Sequence, residues 1–170
     1  SASEAEYCEI GLTRPMDPEA VRAALDEALP DGLDVVTVIV SPGGALADIL
    51  QGSRWNIALP GVTIQHAQDA VQTFLALDEL LVERMMKRGP RTLDCRSAVI
   101  SLSARDAGSD TPCAILDVVV RHDIPSVRPD DVLVGLRTEC GLRTEQTPIA
   151  TRLEQGPLDA QTGMVGDPLA

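Results

Sequence analysis

The sequence is poor in the residues on which stacking, metal and nucleotide chemistry usually depend. Aromatic residues make up 2% of it, namely Tyr7, Trp55 and Phe74. Stacking recognition of single-stranded bases therefore has few platforms, and the core must be assembled from Leu, Val, Ile and Ala. Cys8, Cys95, Cys113 and Cys140 stand far apart, with no CxxC pair and no CxxxCxxC triplet. Zinc and iron–sulfur sites ordinarily start from such a close pair, so the sequence predicts reduced thiols and no metal site. The stretch "SPGGALAD" has neither the Walker lysine nor the G-x-G-x-x-G spacing of phosphate-binding loops. No run approaches the roughly 20 apolar residues that span a bilayer, and no basic segment leads into a hydrophobic one as in a signal peptide. These absences predict a cytoplasmic protein without membrane contact.

Histidine occurs only at 66 and 122. His66 falls in the first turn of an expected helix and His122 at an expected strand end. Neither has a Ser or Cys partner recognisable from the sequence, so no catalytic residue is assigned.

The charge that is present is uneven. The net charge is −12, with residues 1–80 carrying 3 basic and 13 acidic side chains and residues 81–170 carrying 11 and 13. So acidic a surface repels phosphate backbones in general. One exception is "VERMMKRGPRTLDCR", which sets Arg84, Lys87, Arg88, Arg91 and Arg96 against Glu83 and Asp94. Arginine forks suit phosphate oxygens, which makes these five residues the candidate anion or RNA contact. The alternative is a solvated loop, with Asp94 and Arg96 as a structural pair.

Periodicity outlines an α+β chain. Residues 5–12 alternate as a half-buried strand would, and "LDVVTVIV" (33–40) is a β-branched run. Between them Asp17 and Pro18 open a helix whose apolar stripe is Val21, Ala24, Leu25, Ala28 and Leu29. The resulting βαβ unit over 1–45 wants a further strand, because crossover-linked strands are parallel and commonly leave a gap. Over 46–155 the expected order is β(54–59)-α(63–78)-β(80–86)-β(112–121)-α(129–138)-β(147–154). This predicts two tandem ferredoxin-like units, the first incomplete at its amino terminus. A Gly/Pro-rich tail, 156–170, is expected to be disordered.

The strings "AEYCEIGLTRPMDPEAVRAALDEALPDGLDVV", "VERMMKRGPRTLDCR" and "TRLEQGPL" together resemble the radical-SAM-associated (radical SAM-linked) family, a domain of unknown function, in an actinobacterial-type member. The resemblance runs over residues 4–158. It implies that the family's amino-terminal portion is missing and that a radical SAM protein is a partner. It also implies a role near RNA modification, with the iron–sulfur cluster and S-adenosylmethionine held by that partner and no cofactor in this chain. The expected function is a noncatalytic accessory module of a radical SAM system that positions an RNA or protein substrate. The rivals are an RNA-processing or RNA-modifying enzyme whose catalytic part lies in the missing portion, and a structural module that associates, with itself or another protein, through an open sheet edge.

Overall fold

Strand β2 (Gly52–Pro60) is the spine of the structure, a computed structural model that describes residues 1–170. On one side it pairs antiparallel with β6 (Cys113–Arg121), Gly52 facing Arg121 and Pro60 facing Cys113. On the other it pairs antiparallel with β7 (Ile149–Gly156), the register shifting between Arg54 and Trp55. Strand β5 (Val99–Asp106) joins β6 antiparallel, and the two-residue β1 (Ala2–Ser3) joins β7 in parallel. The sheet order is β1-β7-β2-β6-β5.

Alternation along these strands decides which face is covered, since successive side chains point to opposite sides. Ile57 and Leu59 of β2, with Ala114, Leu116, Val118 and Val120 of β6, are buried on one face. Arg54, Asn56 and Asp117 lie on the other, where Arg54 pairs with Glu154 and Asp117, and Arg105 also reaches Asp117. Helix α3 (Ile64–Ala76) covers the apolar face at β5 and β6, and α5 (Pro129–Glu139) packs beside α3 and joins the same core. Thr63 caps α3 by accepting the His66 N–H at 3.2 Å, and α3 buries Ala67, Ala70, Val71 and Phe74. Leu75 of this helix is exposed. Pro129 opens α5, and Gly141 follows its end with φ of +74°, the left-handed conformation that stops a helix.

Three expectations need correction. The strand at 80–86 does form, as β3 (Leu81–Met86), but it does not enter the large sheet. It turns through Lys87 and Arg88 into β4 (Gly89–Asp94), and the two make a separate hairpin. The strand that flanks β6 is instead β5, reached after a single helical turn, α4 (Cys95–Ala98). The alternation in "LVERMM" fits either partner equally well. The tight reversal at Gly89, with φ of +106°, selects the local one.

The tail expected to be disordered folds back on β2. Gly166 N–H donates to Pro157 O, Leu158 bridges to Val165, and the Leu158 side chain fills the space that Gly52 leaves by lacking a Cβ.

The largest departure lies in residues 1–45. Helix α1 (Pro18–Ala28) is present as expected, capped by Asp17, whose carboxylate accepts the Ala20 N–H at 3.1 Å. Neither flanking strand forms: residues 5–12 and 33–40 belong to no sheet. There is thus no incomplete first sheet, only a helix and two extended segments leaving the edge of β7. Propensity makes those segments extended, but a strand also needs a neighbour whose backbone is free to pair. A short helix, α2 (Leu46–Ile49), leads back into β2.

Candidate functional site

The β3–β4 hairpin sorts the basic cluster into two groups. Register pairs Arg84 with Arg91 and Val82 with Leu93. Val82 and Leu93 are buried, and Leu80 just before the hairpin packs so closely on α5 that a Cβ at Gly135 would meet its Cδ2 at 2.5 Å. That docking carries Arg84 against the start of α5. Its Nη1 donates to Asp131 at 2.6 Å and its Nη2 to Ser126 O at 3.1 Å. Asp131 is itself buried and also accepts the Arg128 N–H at 2.7 Å. Arg84 is therefore occupied in holding the hairpin to α5.

Arg96 is drawn inward as well. Its guanidinium lies 5.8 Å from the Phe74 ring centroid and one nitrogen is 3.5 Å from Leu75 O. Lys87, Arg88 and Arg91 remain exposed, at and beside the hairpin turn. The structure thus brings together three of the five candidate anion contacts and commits the other two elsewhere.

The Asp94–Arg96 pair also takes a form other than an ion pair. Asp94 is the N-cap of α4, and its Oδ1 accepts the backbone N–H groups of Leu80 and Arg96, each at 3.0 Å, and of Ser97 at 3.4 Å. Burial works against the charged carboxylate, but the hydrogen bonds from Leu80, Ser97 and Arg96 outweigh it and hold its pKa below the ordinary value. Asp94 fixes the corner where the hairpin leaves and the chain enters β5. Cys95, immediately after it, is fully buried, and burial, followed by the fields of Asp131 and Asp94, pushes its thiol up to about 12. Burial likewise raises Cys140. Cys8 is exposed on the amino-terminal excursion and Cys113 half-buried on β6, and no group of three His, Cys, Asp or Glu side chains converges as metal ligands would.

His122 has partners that the sequence did not reveal. Its Nδ1 lies 2.7 Å from Leu50 O and its Nε2 3.0 Å from Ser53 Oγ. A carbonyl can only accept, so Nδ1 carries a proton, and in the neutral ring the Ser53 hydroxyl donates to Nε2. Ser53 Oγ in turn accepts from Trp55 Nε1 at 2.9 Å. The polarity is that of a serine–histidine dyad, yet Ser53 is 3% exposed. The network ties the loop after β6 to the start of β2 and leaves no ring nitrogen free. Beside it lies an open groove of about 910 Å³, bordered by Arg121, His122, Asp48, Asp123 and Asp159. Sixty-nine residues separate Ser53 from His122; only the pairing of Gly52 with Arg121 brings them together. His66 has a different task, accepting the Arg143 N–H on Nε2 at 3.0 Å and tying α3 to the loop after α5.

A protein-family profile described as an uncharacterized protein conserved in bacteria (DUF2344) matches residues 1–129. The chain belongs to this family. The DUF2344 match covers the excursion, the hairpin, Ser53 and His122, and stops at the first residue of α5. Beyond it lie Asp131, which anchors Arg84, and β7, which pairs with β2. The sheet of this DUF2344 chain is therefore completed by residues outside the matched span. No curated protein and no solved structure is matched. No helix is long and apolar enough to cross a membrane.

Proposed function

We propose that this chain is a noncatalytic accessory module of a radical SAM system, an actinobacterial-type member of its family acting in the cytoplasm. It positions an RNA or protein substrate for its partner. The observation that carries the reading is the hairpin turn, where Lys87 and Arg88 with Arg91 beside them present exposed cations on a protein of net charge −12. Such a tip contacts an anionic ligand without help from the rest of the surface, which repels it. The iron–sulfur cluster and S-adenosylmethionine belong to the partner, in keeping with the dispersal of the four cysteines. The scaffold is a ferredoxin-like unit formed by β2, α3, β5, β6, α5 and β7, a reading supported by the order β7-β2-β6-β5. The hairpin and α4 are then an insertion between its first helix and second strand.

A second reading, distinct from the enzyme expected from the sequence, places RNA processing in this chain itself; it draws support from the Ser53–His122 polarity and is weakened by the burial of Ser53. The deciding experiment is co-purification with a radical SAM protein encoded beside it, at low and then moderate salt. Retention through both salts, with substrate capture lost in Lys87→Glu/Arg88→Glu/Arg91→Glu, is the expected result. Failure to associate at either salt overturns the accessory reading. RNA turnover by the chain alone, abolished in His122→Ala, establishes this second reading.

A further inference from the structure

The excursion from Glu6 to Ser41 has the form of a strand–helix–strand unit without strand pairing. Across residues 6–12 and 36–40 no backbone N–H or C=O meets a protein partner. The segments touch through side chains, Ser41 Oγ donating to Glu9 Oε1 at 3.3 Å. Helix α1 pins the second: Val35 N–H donates to Asp26 Oδ1 at 2.8 Å, and Arg22 donates to Val35 O at 3.3 Å. Only Val21 of α1 is buried. Of the 15 exposed large hydrophobic side chains in the protein, eight fall between Ile10 and Val40, with Val36 85% and Val40 73% exposed. An extended, β-branched run with free backbone groups is a template for strand addition. Proteins ordinarily blunt such edges, yet "VVTVIV" carries no charge or proline to do so.

Charge identifies the occupant. Residues 1–45 hold nine acidic and two basic side chains, a net −7 out of the protein's −12. A second copy would bring the same −12 against this region, and an acidic strand would meet like charge.

We propose that residues 6–41 form a strand-receiving platform for a partner protein. The occupant is an extended segment, apolar on one face and carrying Lys or Arg on the other, whose backbone pairs with residues 6–12 and 36–40. The inference stands apart from the accessory reading, because it requires a basic strand and not a radical SAM protein.

Amide hydrogen exchange on the full chain tests it, with two synthetic peptides of about nine residues, the length of a long strand. One alternates Val with Lys and the other Val with Glu. The Val–Lys peptide should slow exchange at 6–12 and 36–40 by about tenfold or more over the Val–Glu peptide, with the difference shrinking as salt rises. Val36→Pro removes a donor at an exposed position and should abolish the protection at 36–40 while amides of β2 and β6 stay protected. Equal protection by both peptides, protection by neither, or protection that survives Val36→Pro overturns the proposal. Protection already present in the free chain and rising with its concentration also overturns it, in favour of a second copy as occupant.

Discussion

The tetrapeptide Leu-Asp-Val-Val occurs at 33–36 and again at 116–119, and the two copies have opposite environments. In β6, Leu116 is 1% and Val119 6% exposed; in the excursion, Leu33 is 58% and Val36 85% exposed. Asp117 sits between Arg54 and Arg105 on the open face of the sheet. Asp34 has no ion-pair partner. Both copies are extended, so local preference does the same thing twice. What differs is the neighbour: β2 and β5 supply backbone groups on both sides of β6, and α3 covers its apolar face. Strand-forming side chains prepare a segment for a sheet, and tertiary contacts admit it.

The comparison is open to test by substitution in both regions, and the largest contrast lies in their ion pairs. Arg84→Ala strands Asp131 as a buried, unpaired charge, which should cost about 3–5 kcal/mol in chemical denaturation. Arg22→Ala removes the Glu19 pair and the bond to Val35 O in the excursion and should lower the unfolding midpoint far less than Arg84→Ala does. Similar losses in both variants would mean that the excursion is as tightly integrated as the hairpin.

Leu116→Ala and Leu33→Ala make the comparison within one motif. The first opens a cavity and should cost about 2–5 kcal/mol; the second should stay within about 0.5 kcal/mol. Equal costs would show Leu33 buried against an occupant.

Asp94→Ala releases the hairpin corner, and a lost cap with its additional donor should cost about 1–3 kcal/mol at neutral pH. The sign of its pH dependence follows from the lowered native pKa. Asp94's contribution is complete above its unfolded value, ordinarily 3.8, and is lost as pH falls through the lower folded one. Wild type and Asp94→Ala should therefore converge in stability as the solution is acidified through that range, read from denaturation midpoints at successive pH values. A gap that stays constant with pH would remove the carboxylate's charge from the explanation.

The smallest perturbation is chemical labelling of the native chain. Cys8 should react with a thiol-alkylating reagent well before Cys95, whose burial and raised pKa keep it protonated. Comparable rates, followed by mass spectrometry, would mean that the core opens as readily as the excursion.

Much of the local structure was legible in the residues. Asp17-Pro18 and Thr63 mark helix starts, Gly141 marks an end, and the apolar run from Ala114 to Val120 marks β6, whereas the alternation over 5–12 marks no strand. These signals act over a few residues, through capping bonds, fixed φ angles and side-chain period. The basic cluster at 84–96 was visible as a string, but its division was not, because Asp131 and Phe74, which engage Arg84 and Arg96, arrive from α5 and α3. Likewise Ser53 and His122 had no signal in their spacing, being joined only through the β2–β6 register.

The sequence by itself determined the α+β composition, the positions of α1, α3 and α5, the acidity of residues 1–80 and the aliphatic core, since each depends on residue type and near neighbours. Tertiary structure alone decided that β3 closes on β4 and leaves β5 to flank β6, that the tail docks on Gly52, and that "LDVV" becomes a strand once and not twice. The physical reason is that an extended segment satisfies its backbone only through a partner, and a partner distant in sequence leaves no trace in the segment's own residues.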